Sequence, residues 1–137
     1  MKQSDLKRYV GLKNIYDYGC YFLDLLYIGK GYEELTLEEI VEYYHLFCSK
    51  DWIDKECYVK EPTAILEFLT GEKYRVMYSK YPDQAAKHVV ARFYNTYTGY
   101  AHFVVSNSYG DVVWDPIENS YTVKNGIVDS YRLFFTN

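Results

Sequence analysis

A nearly uninterrupted apolar run at residues 20–28 constrains the fold more than any other stretch of the sequence. It reads Cys-Tyr-Phe-Leu-Asp-Leu-Leu-Tyr-Ile, with Asp24 as its one charged member and Gly29 and Gly31 after it. A helix of this length that is apolar on every side belongs inside a core rather than on a surface. A core strand is the alternative, because periodicity cannot separate the two in so short a run. The sequence therefore predicts one buried central element here.

Two further helices are indicated downstream of this run. Thr36 and Glu39 form a capping box, and the apolar residues that follow recur at helical spacing. Pro62 suits the first turn of a shorter helix, and Gly71 suits the position just past its end. Three helices are thus expected before residue 72.

After Gly71 the pattern changes to strands. Residues 74–78 and 127–135 read as strands, with a turn at Pro82-Asp83. Residues 84–94 fit both a helix and a strand, and we favour a strand over 89–94. Residues 101–106 and 111–114, joined by a turn at Tyr109-Gly110, predict a β-hairpin. Helices followed by an antiparallel sheet make the expected class α+β.

Composition limits the classes of function. The chain has 137 residues, which suits one domain spanning residues 1–137. Its net charge is −4, whereas duplex-binding domains usually carry a basic surplus, so no nucleic-acid partner is expected. No apolar stretch is long enough to span a membrane, and the N-terminus lacks a secretory signal, so we expect no membrane partner and a cytoplasmic location. Three cysteines indicate free thiols rather than a disulfide framework.

Three residues together suggest nucleophilic catalysis. Cys20 is predicted at a helix N-terminus, where the macrodipole lowers the pKa of a thiol and free N–H groups can bind an oxyanion. Gly19 is expected to allow a sharp turn there and to leave room for a substrate. His102 begins one hairpin strand and Asp115 follows the returning strand, so the hairpin brings them close. His102 would then act as general base and Asp115 would orient its ring.

This order resembles the papain-like cysteine peptidase superfamily, most closely its branch of bacteriocin-processing, double-glycine peptidases. The motifs are Gly19-Cys20, Ala101-His102-Phe103-Val104-Val105 and Trp114-Asp115-Pro116, and the likeness spans roughly residues 14–117. It implies a papain-like fold, with the Cys-bearing helix packed on a C-terminal sheet, and a Cys20–His102–Asp115 triad without a cofactor. That branch usually places Gly-Pro after the Cys and a Gln shortly before it. Here Tyr21-Phe22 follows, and Asn14 is the nearest upstream amide and the candidate for the oxyanion hole.

The interpretation from the sequence is a cysteine-dependent hydrolase that cleaves a peptide or amide bond through a thioester. One alternative is an inactive binding module of the same fold, in which an aromatic groove holds a peptide or a glycan; the 18 tyrosines of the chain suggest such a groove. Another is acyl transfer to an amine. A metal site at His45, Cys48 and Cys57 is not expected, because these residues lack a paired C-x-x-C knuckle. His88 is interpreted as a strand residue, with a second base as the alternative.

Overall fold

The structure is a computed structural model that describes residues 13–117 and 120–136. The expectation of no secretory signal concerns N-terminal residues that lie outside these ranges. Five helices are present among the described residues: α1 (Lys13–Tyr18), α2 (Cys20–Gly29), α3 (Leu37–Ser49), α4 (Pro62–Thr70) and α5 (Tyr121–Asn125). Five strands accompany them: β1 (Tyr74–Ser79), β2 (His88–Asn95), β3 (Tyr100–Ser106), β4 (Val112–Trp114) and β5 (Ile127–Thr136). The α+β class is confirmed.

Helix α2 is the buried centre of the molecule, as the apolar run predicts. Phe22 and Leu25 are fully buried in it, and so is Asp24. The α2 helix packs against α4 on one side and against β3 on the other. The helical interpretation of the run is therefore correct, and the strand alternative is wrong.

Local signals set the bounds of α3 and α4. Thr36 caps α3 by accepting a hydrogen bond from the Glu39 N–H, and the Glu39 carboxylate accepts one from the Thr36 N–H in return. Pro62 opens α4, and Gly71 follows its end with a φ of 78°, a conformation that favours glycine. Both helices are confirmed as predicted. The short helices α1 and α5 were not predicted.

The strands form one antiparallel sheet in the order β1-β5-β2-β3-β4. The favoured strand over residues 89–94 is confirmed within β2, and the hairpin is confirmed as β3 and β4. Strand β5 lies between β1 and β2, so the last strand in sequence is central in the sheet. One face of the sheet packs on the helical layer, and α5 contacts β2 and β3. None of the described helices has the length and apolar character needed to cross a membrane.

Candidate active site

The structure places Cys20 at the first position of α2, directly after Gly19. The Gly19 N–H donates to the Ile15 carbonyl at 2.9 Å, so α1 and α2 meet closely at this point. A Cβ atom added at Gly19 would lie 2.4 Å from that carbonyl oxygen. The φ of Gly19 is −86°, which any residue can adopt. A close helix contact, rather than a special turn, is therefore what requires glycine here.

The thiol of Cys20 lies against the edge of β3. Within the described ranges, β4 pairs with β3 at Val105 and Ser106 alone, and α2 packs against β3. The backbone N–H of Phe103 approaches the thiol closely enough to stabilise a negative charge on sulfur. Because Phe103 follows His102 directly, this contact places the thiol next to the strand segment that carries the second member of the predicted triad.

His102 and Asp115 are joined by a hydrogen bond. The His102 Nε2 donates to the Asp115 Oδ1 at 2.6 Å, and both side chains are largely buried. The same carboxylate oxygen accepts the backbone N–H of Ile117 at 2.8 Å, which fixes its position. A carboxylate only accepts hydrogen bonds, so the proton lies on Nε2 and Nδ1 is left as the basic nitrogen. The hairpin thus brings these two residues together as the sequence predicts.

The acidity of the thiol differs from the expectation. The pKa of the Cys20 thiol is raised to about 12, mainly by burial and in second place by the nearby Asp24 carboxyl. Backbone N–H groups at the start of α2 and at Phe103 act in the opposite direction. The expected net lowering is therefore wrong for this site, because the cost of placing a thiolate among apolar side chains exceeds the benefit of the helix N-terminus.

A cavity of about 200 Å³ adjoins the thiol. We call it the thiol cavity. Its lining includes Cys20, Tyr100, His102, Ile117, Ser120 and Thr122. Tyr100 is exposed at its rim, whereas Cys20 is only 8% exposed and His102 only 4%. The predicted nucleophile and base thus share one cavity, the wall of which is completed by α5 and the segment before it.

Asp24 is a buried carboxyl one turn after Cys20 on α2. It is fully buried, and within the described part of the chain neither of its oxygens has a hydrogen-bond partner. Burial, together with the nearby charge of Asp115, raises its pKa well above the ordinary value. Burial therefore favours the neutral form of this carboxyl over its charged form. The sequence analysis noted its charge but assigned it no role.

Asn14 does not lie on the thiol cavity. Its Nδ2 donates to the Lys55 carbonyl at 2.9 Å, and the Tyr44 hydroxyl donates to the same oxygen at 2.6 Å. This pairing fastens α1 to the segment after α3. The amide of Asn14 is thus occupied in a structural contact, and the start of α2 is the remaining source of oxyanion donors.

A second cavity, of about 170 Å³, was missed by the sequence analysis. We call it the arginine cavity. It is lined by aromatic side chains and one cation, including Tyr18, Tyr21, Tyr58, Tyr78, Phe103 and Arg132. One sequence feature points to this cavity, since Arg132 is a cation among the mostly apolar residues of the last strand. A single cation in a strand pattern was not distinctive enough to be singled out.

The remaining histidines and cysteines do not form a metal site. Among the described residues, no group of three or more potential ligands is close enough to hold a metal ion. The Cys48 thiol donates to the Asp54 carbonyl at 3.6 Å. His88 lies between two tyrosines: the Tyr32 hydroxyl contacts its Nδ1, and the Tyr74 hydroxyl lies 3.4 Å from its Nε2. His88 therefore belongs to an aromatic cluster away from the thiol cavity.

Comparison with known proteins identifies a family, but the description of that family names no function. No curated protein and no solved structure shows significant similarity to the chain. The sequence does match one family, described as "Protein of unknown function, DUF261", over residues 1–136. Because this match covers nearly the whole sequence, the chain belongs to the DUF261 family.

Proposed function

We propose that the protein is a cysteine-dependent hydrolase that cleaves a peptide or amide bond through a thioester. The observation that carries this proposal is the hydrogen bond between His102 and Asp115. It leaves the second ring nitrogen of His102 free to act as a base in the cavity that Cys20 also lines. A buried carboxylate that orients a histidine beside a helix-start thiol is the arrangement that thiol catalysis requires.

The first half of the reaction forms the thioester. The Cys20 sulfur attacks the substrate carbonyl carbon, and its proton passes to the His102 Nδ1 during the attack. The carbonyl electron pair moves to oxygen, where the free N–H groups at the start of α2 stabilise the oxyanion. The C–N bond then breaks, and His102 returns the proton to the leaving nitrogen. Because proton transfer accompanies attack, the raised pKa of the resting thiol does not prevent the step.

The second half releases the acid. A water molecule gives a proton to His102 while its oxygen attacks the thioester carbon. Collapse of that intermediate breaks the C–S bond, and the proton returns to the sulfur. Asp115 keeps the ring in one tautomer and stabilises the imidazolium that forms in both halves. Capture of the same thioester by an amine would give acyl transfer.

A non-catalytic binding module is the second candidate. Two observations favour it: only 8% of Cys20 is exposed, and burial raises the pKa of its thiol to about 12. A buried, protonated thiol without a working base behaves as a small apolar side chain. The thiol and arginine cavities would then hold a peptide or a glycan without reaction.

Labelling with a peptidyl acyloxymethyl ketone, a reagent that acylating cysteine enzymes attack, tests the proposal. We expect wild-type protein to be modified at Cys20 and Cys20→Ala to be unreactive. His102→Ala should slow labelling by about 100-fold or more, as loss of a general base does. His45→Ala, which removes an exposed histidine of α3, is the matched control and should react at the wild-type rate.

Two results would contradict catalysis. One is modification of Cys48 as fast as Cys20, which would show that Cys20 has no special reactivity. The other is an unchanged rate in His102→Ala, which would show that no Cys–His pair operates. Either result would favour the binding module.

A further inference from the structure

The arginine cavity is lined by the residues that directly follow the proposed catalytic pair in the sequence. Tyr21 follows Cys20 on α2, and Phe103 follows His102 on β3, and both line this cavity. The two rings stack with centroids 5.0 Å apart and an interplanar angle of 10°. Successive strand residues face opposite sides of a sheet, so Phe103 opens the cavity on the helical side of β3, away from the His102 ring. A ligand there would sit next to the thiol without occupying its cavity.

Two aromatic rings stack on the guanidinium of Arg132. It lies over the Tyr78 ring at 5.0 Å and over the Phe103 ring at 4.9 Å. Stacking uses the π faces of a guanidinium, whereas its five N–H donors point outward in its plane. The aromatic rings therefore orient the cation and leave its donor edge available for a planar acceptor.

Two buried donors in this cavity lack a partner among the described residues. Arg132 donates from Nη1 to the Ser130 hydroxyl at 2.6 Å. Its buried Nε and the buried Tyr21 hydroxyl have no hydrogen-bond partner anywhere in the described chain. The nearby acid Asp129 is already paired with Arg92. Buried donors without acceptors are unfavourable, so a ligand that supplies acceptors would stabilise this cavity.

We propose that the arginine cavity is a binding site for a carboxylate group of a peptide. A carboxylate is planar, accepts two parallel hydrogen bonds from a guanidinium and needs no cofactor. About 170 Å³ is well below the roughly 300–1,000 Å³ of drug-sized ligand sites, so the site takes one side chain or chain end. The aromatic walls cover the apolar part of that group. This inference deepens the proposed function, because it assigns acidic peptides as the substrate class of the neighbouring thiol.

Peptide binding to Cys20→Ala tests the inference without depending on catalysis. The probes are the blocked tripeptides Ac-Ala-Glu-Ala-NH₂ and Ac-Ala-Gln-Ala-NH₂, together with Ac-Ala-Ala-Ala in free-acid and amide forms. Nuclear magnetic resonance of the labelled protein follows the Arg132 Nε–H and the Phe103 amide. We expect saturable shifts at both groups with the Glu peptide or with the free acid, and binding of the neutral counterpart at least about tenfold weaker. The two pairs distinguish an acidic side chain from a chain terminus.

Variants assign the effect to Arg132. In the Cys20→Ala background, Arg132→Lys keeps the charge but removes the planar fork, and it should weaken binding at least about tenfold. Arg75→Lys is the matched control, since Arg75 also stacks on a ring, that of Phe135 at 4.4 Å, but lies outside the cavity. Tyr21→Phe, which removes one hydroxyl and keeps the ring, should weaken binding several-fold and covers the case in which Arg132→Lys does not fold.

The outcomes separate this inference from the proposed hydrolase. Equal binding of charged and neutral peptides, no saturable binding of either carboxylate, or unchanged affinity in both Arg132→Lys and Tyr21→Phe would overturn the carboxylate site. If carboxylate binding is found while wild-type Cys20 resists labelling by the ketone, the site stands and catalysis fails. If Cys20 is labelled in the manner of a catalytic thiol but acidic peptides do not bind, the hydrolase stands and this inference fails.

Discussion

Asp24 should make the stability of the protein depend on pH in a direction unusual for a carboxyl group. Its pKa in the folded protein is raised well above the ordinary 3.8 by burial and by Asp115. Between these two values the unfolded chain has lost the proton and the folded chain keeps it. Unfolding therefore releases one proton, and the free energy of unfolding contributed by this group falls as pH rises. The contribution is complete below pH 3.8 and is lost as pH rises through the folded pKa.

The magnitude follows from the linkage of one proton. Each pH unit in this window costs about 1.4 kcal/mol of folding free energy. Asp24→Asn keeps the shape of the side chain and removes the ionisation. We therefore expect the variant to gain on the wild type as pH rises above 3.8, by about 1.4 kcal/mol for each pH unit over which the folded carboxyl stays protonated. The two proteins will also differ in their free energy of unfolding at every pH, because an acid has been exchanged for an amide. The informative quantity is therefore the change of that difference with pH.

Urea denaturation of both proteins, at half-unit steps from pH 4 to pH 8, measures this slope. Glu42→Gln is the control, because it removes one acid from an exposed position of α3 and should run parallel to the wild type. The pH at which the gap stops widening gives the pKa of the folded carboxyl. Parallel curves for Asp24→Asn and wild type would refute the argument, since Asp24 would then ionise alike in both states.

Two further predictions concern glycine packing and histidine burial. Gly19→Ala should cost about 1–3 kcal/mol and slow the labelling of Cys20, because the added Cβ meets the Ile15 backbone carbonyl at 2.4 Å. An unchanged midpoint of thermal denaturation would contradict this account. Burial, together with Lys87, lowers the pKa of His88 to about 4, so the stability that this histidine contributes should be complete above pH 6.5 and be lost as pH falls towards 4. His88→Asn should therefore gain on the wild type as pH falls over this range, and parallel curves for the two proteins would assign the pH dependence to another group.

Local patterns predicted most elements, and the reasons are visible in individual residues. Thr36 with Glu39, and Pro62 with Gly71, act within a few residues of where they stand, so the helices that they bound could be read directly. The hairpin could be read for the same reason, since alternating strand residues flank a turn. By contrast, α1 has only six residues, too few for a clear period. The position of β5 between β1 and β2 depends on pairings across the whole chain and leaves no local signal.

The candidate site shows the same division. The pairing of His102 with Asp115 follows from hairpin geometry and was predicted. The acidity of Cys20 was not, because it depends on how fully β3, the helical layer and Asp24 exclude water from the sulfur. The engagement of Asn14 by Lys55 is likewise a contact between distant segments. Spacing along the chain therefore identified which residues meet, whereas the dielectric around them required the three-dimensional structure.

The central position of β5 has a consequence for the order in which the molecule assembles. Among the described strands, β1 pairs with β5 alone, so residues 74–79 have no partner within that sheet until residues 127–136 exist. The arginine cavity has walls from both strands, through Tyr78 and Arg132. A nascent chain that lacks β5 thus exposes an unpaired strand, a common starting point for aggregation. A carboxylate ligand that binds only after β5 inserts would draw the chain towards the completed sheet by mass action.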